Sequence, residues 1–575
     1  MRRRLIWLLV LGLGVMTGCG RRETKPPPPP PSAAPRSSSL FRFYFGGTAR
    51  LAADTNAEPW VSMSELPASQ ALWLQTLEKL SHAPYQFCQR RIAGTNDWAS
   101  TFRELISDFV RAESLIEVTG DTNRIAECEL AVRLPADRAE FWRTNLLRIL
   151  ETWTGCRGEP LAAGSAGWQL KKHHDPNLFR LVRSGDWTLI GCAQDQLPLQ
   201  DEYLQRTKRT GRSIAKSDPL LDGVGSGSWL EIFLDCPNLP SLIPALAASD
   251  GERMAIRSAV GLSTNQQRST VSPQSLLKGL PALNVSLRGR DGKLRISGDF
   301  AFRDPFSWKL EPWQIPTNLI HDPIISFTAI QGLAPMLRNH QGALGLELLD
   351  PLPDQLFVWA GGSLPVQTLT AAPMKDATGF LRSLATQLMS RFNPVLQAHD
   401  VGGLVMATNN SGAASLRWTG IPPFVTPFIS AEQDSGKDFL LAGIFPNWGG
   451  TNPPPVLFQY LATRTNLVYY DWEVTGEHAW AWRACINVFR HFFEKPRLGP
   501  DSASIVWINS VSNHLANTVT EVTRSDSNRL AFVRQGPIGL TGLELMALAH
   551  WLESTNFPLN GLALPARTNR VTNDK

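Results

Sequence analysis

The residues best suited to chemistry stand where a strand-like run gives way to a helix. In the second half of the chain these are Asp471, Glu473 and His478, and in the first half Glu231 and Asp235 hold the comparable place. Paired carboxylates can do acid–base work when each raises the pKa of the other. On a strand, however, Asp471 and Glu473 share one face by period two, and such a pair ordinarily lines a solvated face. His173-His174-Asp175 is the densest run of ligand-type residues, but adjacent side chains diverge on most backbones, so exposed hairpin residues are expected there. Gly223-Val224-Gly225-Ser226-Gly227 places glycine directly on both sides of the serine, which breaks the G-x-S-x-G spacing of a nucleophile elbow and reads as a flexible turn. Gly436-Lys437 runs into Asp438 without the earlier glycine of a phosphate loop, and there is no H-E-x-x-H. The sequence therefore assigns no catalytic residue, no metal ligand and no cofactor site.

The elements that must position these residues recur in the same order. Glu129-Leu130-Ala131-Val132 leads through Pro135 to Asp137 and a helix, which Asp137 can cap with Glu140 three residues on. Val366 to Thr370 leads through Pro373 to Asp376 and a second helix. From each Asp, the residues at +4 are Phe141 and Phe380, and those at +16 are Trp153 and Phe392, so both helices are amphipathic. Ser184 to Gly191 is answered by Ser435 to Gly443, each a polar turn entering a buried strand that ends on glycine. Leu230–Asp235 before a helix at 239–246 matches Leu467–Glu473 before Trp482 to Phe493. A hairpin through Asp291-Gly292 matches one through Asp526. The Asp landmarks are offset by 239 (137 to 376), 252 (186 to 438) and 235 (291 to 526) residues. Further helical faces are Trp73, Leu77 and Leu80, then Phe102, Leu105, Ile106 and Phe109, and Thr541-Gly542-Leu543-Glu544 is a capping box opening a last helix. Helices mixed with antiparallel hairpins define an α+β class. The expected organisation is two similar units, residues 41–306 and 307–575, arising by internal duplication, with a polar tail from Ala566.

The N-terminus carries an address. Arg2, Arg3 and Arg4 precede an apolar run from Leu5 to Val15, too short to span a bilayer. It ends in Met16-Thr17-Gly18-Cys19, which resembles the lipobox of bacterial lipoproteins. The resemblance implies that residues 1–18 are a signal peptide and that Cys19 becomes the acylated N-terminus, carrying two or three chains. Two or more chains anchor firmly where one does not. Gly20 at the next position favours the outer membrane over the inner. Residues 19–40 then form a stalk, in which Pro26 to Pro31 favour polyproline II and act as a semi-rigid spacer.

Composition narrows the partners. The formal net charge of +5 includes the three arginines of the signal peptide, and no basic stripe interleaved with aromatics follows. Nucleic acid is therefore a poor partner. Six cysteines remain besides Cys19, without a C-x-x-C, and buried thiols or disulfides are both open to them. Cys192 and Cys485 lie in apolar settings as small core residues. Of the 19 tryptophans, Trp73, Trp142, Trp153, Trp187 and Trp482 fall on faces that should be buried. Trp308, Trp313, Trp418 and Trp448 lie near Pro and Gly, as loop aromatics do; such residues could stack on a sugar or contact lipid, but packing beneath long loops is their commoner fate. The body resembles large exported lipoproteins of no known activity. The function expected is a non-enzymatic binding or scaffold module in the cell envelope, its protein, glycan or lipid ligand unspecified. The alternative is an envelope hydrolase with a dispersed carboxylate and His site.

Overall fold

The computed structural model describes residues 38–87, 98–121, 125–161, 166–171, 178–210, 228–239, 280–307, 309–338, 350–362, 367–408, 412–420, 425–445, 450–453, 455–492 and 496–558. Contacts divide the chain into two units. One comprises Met1–Phe302 with Leu498–Ser510 and Ala549–Lys575, the other Arg303–Arg497 with Val511–Leu548. Both mix helices with antiparallel strands, as the α+β patterning requires.

In the first unit the strands are β1 (Ser38–Phe45), β2 (Ser114–Gly120), β3 (Ile125–Arg133), β4 (Glu159–Pro160), β5 (Gly167–Lys171), β6 (Leu178–Ser184), β7 (Trp187–Ala193), β8 (Leu230–Asp235), β9 (Ala282–Arg290) and β10 (Lys293–Ala301). They pair antiparallel in the order β4-β5-β6-β7-β3-β2-β1-β8-β9-β10. Helices α1 (Pro67–Phe87), α2 (Trp98–Arg111) and α3 (Ala136–Thr154) cover one face. The predicted stripe of Phe102, Leu105 and Ile106 is buried there with Leu77, Trp142, Leu146, Ile116 and Leu130. Burying each such side chain contributes about 1.5–3 kcal/mol. Helix α4 (Pro198–Thr210) lies on the other face, where Tyr203 packs with Tyr44, Leu115, Ala131, Trp187 and Leu189.

The second unit holds β11 (Ile324–Gln331), β12 (Gln355–Gly361), β13 (Thr368–Pro373), β14 (Gly403–Thr408), β15 (Ala414–Thr419), β16 (Phe428–Asp434), β17 (Lys437–Gly443), β18 (Leu467–Val474), β19 (Asn517–Asp526) and β20 (Arg529–Gly536). Their antiparallel order is β14-β15-β16-β17-β13-β12-β11-β18-β19-β20. This is the order of the first unit, strand for strand. Helix α5 (Ala377–Ala398) follows the third strand of the unit, as α3 does, and α6 (Pro455–Ala462) follows the seventh, as α4 does. Helix α7 (Thr475–Phe492) leaves the end of β18 and packs on β11 and β18, and α8 (Gly542–Glu553) comes last. Around α6 the core is aromatic: Phe458 packs with Phe327, Phe357, Trp359, Phe439 and Tyr470.

The correspondence reaches single residues. A bulge interrupts β1–β2 between Ser39 and Phe41, and another interrupts β11–β12 between Ile324 and Ser326. The Leu134 amide donates to the Asp186 carbonyl at 2.9 Å, and the Met374 amide to that of Asp438 at 3.0 Å. Gly191 and Gly443 sit where a Cβ would come within 2.8 Å of Glu129 Oε2 and 2.6 Å of Leu369 Cδ2, so at both a side chain would press on the cross-strand neighbour. Asp291-Gly292 takes φ of 52° and 68°, the positive values a tight hairpin turn requires.

Two local expectations need correcting. Asp376 caps α5, accepting from the Gly379 amide, but Asp137 does not cap α3. There the N-cap is Pro135, and Asp137 lies inside the first turn, where its charge still favours the helix N-terminus. Glu140 is drawn to Arg143 instead of closing a capping box. Trp153 and Phe392 are only half-buried. The box at Thr541 forms as expected: the Thr541 amide donates to Glu544 Oε2 at 2.9 Å and the Glu544 amide to Thr541 Oγ1 at 3.3 Å.

Candidate functional site

Asp471 and Glu473 do share one face of β18, but that face is not solvated; both residues are buried. Helix α7 folds back over β11 and β18 and closes it. Asp471 Oδ1 accepts a 2.7 Å bond from Thr328 Oγ1. Burial pushes its pKa up to about 6, with the Thr328 hydroxyl pulling the other way and Glu473 adding to the rise. Glu473, 1% exposed, uses both oxygens: Oε1 accepts from the Gly542 amide at 2.7 Å, and Oε2 lies 2.5 Å from His478 Nδ1. His478 Nε2 is 3.4 Å from Ser326 Oγ on β11. Serine, histidine and glutamate thus form a chain, and the indole of Trp482 lies beside the imidazole with centroids 5.9 Å apart. Among the described residues the buried Trp482 Nε1–H finds no partner. Sequence reasoning found Glu473 and His478 together but missed Ser326, whose only signal was its place on a strand about 150 residues earlier.

The first unit buries its charges on the face under α4. Arg42 Nη2 bonds Glu117 Oε1 at 2.8 Å, and the Tyr203 hydroxyl donates to Glu117 Oε2. Glu127 accepts from the Leu199 and Gln200 amides at 2.8 and 3.0 Å and so holds the first turn of α4. Burial above all, and then Glu127, raises the pKa of Glu129 well above the ordinary carboxylate range. Glu231 faces Tyr44 across β1–β8, and among the described residues neither of its oxygens finds a hydrogen-bond partner of good geometry. Burial lifts its pKa to about 7, opposed by the Ser228 hydroxyl and by Arg50 and Arg42. Asp235, at the end of β8, accepts from Asn238 Nδ2 and is not part of this group.

The remaining candidates fall apart in space or outside the described residues. Cys19, Cys88, His173-His174-Asp175, Gly223–Gly227, Trp308, Trp448 and the helix expected at 239–246, apart from Leu239, lie outside them. Trp313 is buried, and Trp418 donates to the Val401 carbonyl at 2.9 Å. Cys128, Cys156, Cys192, Cys236 and Cys485 are free thiols. Burial pushes the Cys128 thiol up to about 12, and those of Cys192 and Cys485 upward too, which suppresses the reactive thiolate. Among the described residues no group of three or more His, Cys, Asp or Glu could hold a metal ion. No described helix is long and apolar enough to cross a membrane.

No protein-family description matches the chain, and no curated protein matches it. A solved structure, crystal form III of TP0453, aligns with 41% of this chain and 98% of its own at 7% identity and a TM-score of 0.21. A likeness that slight carries no argument about fold or function.

Proposed function

We propose that this chain is an envelope lipoprotein, held to a membrane by acyl chains on Cys19, whose body is one α+β unit duplicated to make a binding or scaffold module. The observation that carries the body of this reading is the identical order of ten strands in the two units. The bulge at Phe41 and Ser326 and the glycines at 191 and 443 add to it. Independent α+β chains do reuse hairpins, but ten strands in one non-sequential order, with matching irregularities, are expected from copying. In this reading Glu127 and Glu473 are structural: each fixes the first turn of a helix to its sheet.

The anchor rests on the order of Arg2–Arg4, the apolar run and Met16-Thr17-Gly18-Cys19, with Pro26–Pro31 as spacer. Gly20 favours the outer membrane. In cells fed radiolabelled palmitate, wild type should carry label and partition with membranes, while Cys19→Ser should lose both. Equal label on the two proteins would overturn the anchor. Crosslinking the anchored protein in intact cells, followed by identification of the adducts, addresses the ligand.

A further inference from the structure

We propose that the second unit carries an acyl-transfer centre, with Ser326 as nucleophile, His478 as general base and Glu473 as its positioning partner, acting on esters of short acyl groups. This goes beyond the scaffold reading, in which neither the tether nor the repeated body depends on whether Ser326 reacts.

The geometry is that of a serine, histidine and carboxylate relay, which is recognised by mutual arrangement and not by order in the chain. His478 Nδ1 is 2.5 Å from Glu473 Oε2, so the carboxylate fixes the tautomer that leaves Nε2 free to accept a proton. Nε2 faces Ser326 Oγ at 3.4 Å, a distance typical of a base that tightens only when substrate binds. Glu473 is itself held by the Gly542 amide, as an orienting carboxylate must be. Ser326 lies at the β11 bulge, a device that re-aims one side chain out of the regular ladder. One turn beyond His478, the Trp482 indole N–H is buried with no acceptor among the described residues, a donor of the kind that can stabilise an oxygen gaining negative charge. The register of the first unit puts Phe41 and Leu234 at the places of Ser326 and Glu473, so the centre belongs to one unit alone.

The step balances on these groups. Ser326 Oγ bonds to the acyl carbon as its proton passes to His478 Nε2, and the carbonyl electron pair moves onto oxygen. Collapse of the adduct expels the alcohol, which takes the proton from His478. Water then attacks the acyl-Ser326 ester with His478 again accepting the proton, releasing the acid and restoring the serine. Ser326 is 5% exposed and the His478 side chain 16%, so only a slim acyl group can reach the oxygen. That favours acetyl over long or branched chains.

The test incubates the full protein with p-nitrophenyl acetate at about pH 8, followed by acid quench and peptide mapping. Expected are an acetyl group on the Ser326 peptide and a burst of nitrophenol that Ser326→Ala abolishes. His478→Gln should slow acylation roughly 10²–10⁴-fold, the range of a lost general base. The octanoate ester should react at least about tenfold more slowly than the acetate. Should Ser326→Ala fail to fold, labelling of wild type by a small fluorophosphonate, mapped by mass spectrometry, tests the same serine directly. Absence of any adduct on Ser326, or equal turnover by folded Ser326→Ala, would overturn the proposal and leave the scaffold reading standing.

Discussion

One row of side chains, read at the same register in the two units, shows how far a sheet can change without changing its topology. In the first unit it runs Gly191, Glu129, Glu117, Arg42 and Phe233. In the second it runs Gly443, Leu369, Trp359, Phe327 and Trp472. The glycines coincide, and an ionic core in one unit is an aromatic core in the other. On the opposite face the polarity reverses. Ile190, Leu130, Ile116, Phe43 and Ile232 stand in the first unit, and Ala442, Thr370, Val358, Thr328 and Asp471 in the second. Along these two rows the more polar face of one unit is the more apolar face of the other. Strand order is held by backbone pairing, which both rows satisfy equally, so side-chain polarity is free to differ wherever each buried charge finds a partner.

The largest effect should come from breaking the ionic row. Arg42→Met strands the Glu117 carboxylate in the core and should cost about 3–5 kcal/mol. Removing the whole set, as Arg42→Met with Glu117→Leu and Tyr203→Phe, should recover most of that loss, because desolvation disappears with the charges. At the matching place in the aromatic row, Phe327→Ala should also cost about 3–5 kcal/mol, with no second polar deletion able to rescue it. Urea melts of the four proteins decide the matter; a triple variant no better than Arg42→Met alone would show that the ionic row stabilises by more than pairing.

A smaller effect separates the two buried acids by pH. A carboxyl whose pKa is raised on folding stabilises fully below its unfolded value and loses that stabilisation as pH rises through the folded one. For Asp471 the loss falls around pH 6, and for Glu231 around pH 7. Asp471→Asn and Glu231→Gln should therefore each gain on the order of 1 kcal/mol at about pH 8 and nothing at about pH 4. Melting temperature against pH is the measurement, and a gain from Glu231→Gln that is the same at both ends would refute its raised pKa. An effect of similar size is expected where the units agree. Trp153→Ala and Phe392→Ala remove half-buried rings at matching helix positions and should each cost about 1–2 kcal/mol, less than a fully buried ring would. Unequal costs by calorimetry would argue against equivalent packing.

Much of the fold was legible in local pattern. Periods of 3.6 placed the helices at 98–111 and 136–154, turn glycines placed the hairpins, and Thr541 with Glu544 placed a helix start. These signals act within a few residues, so the chain alone determines them. The repeat of landmarks was legible for the same reason, although Pro135 displaced the expected cap at Asp137. Tertiary structure alone decided which polar residues are buried. Period two put Asp471 and Glu473 on one face, but only the return of α7 made that face an interior, where desolvation outweighs solvation and shifts the pKa of Asp471. Nor could spacing join Ser326 to His478: they meet because β11 and β18 pair across some 150 residues, and long-range strand pairing leaves no mark on local sequence.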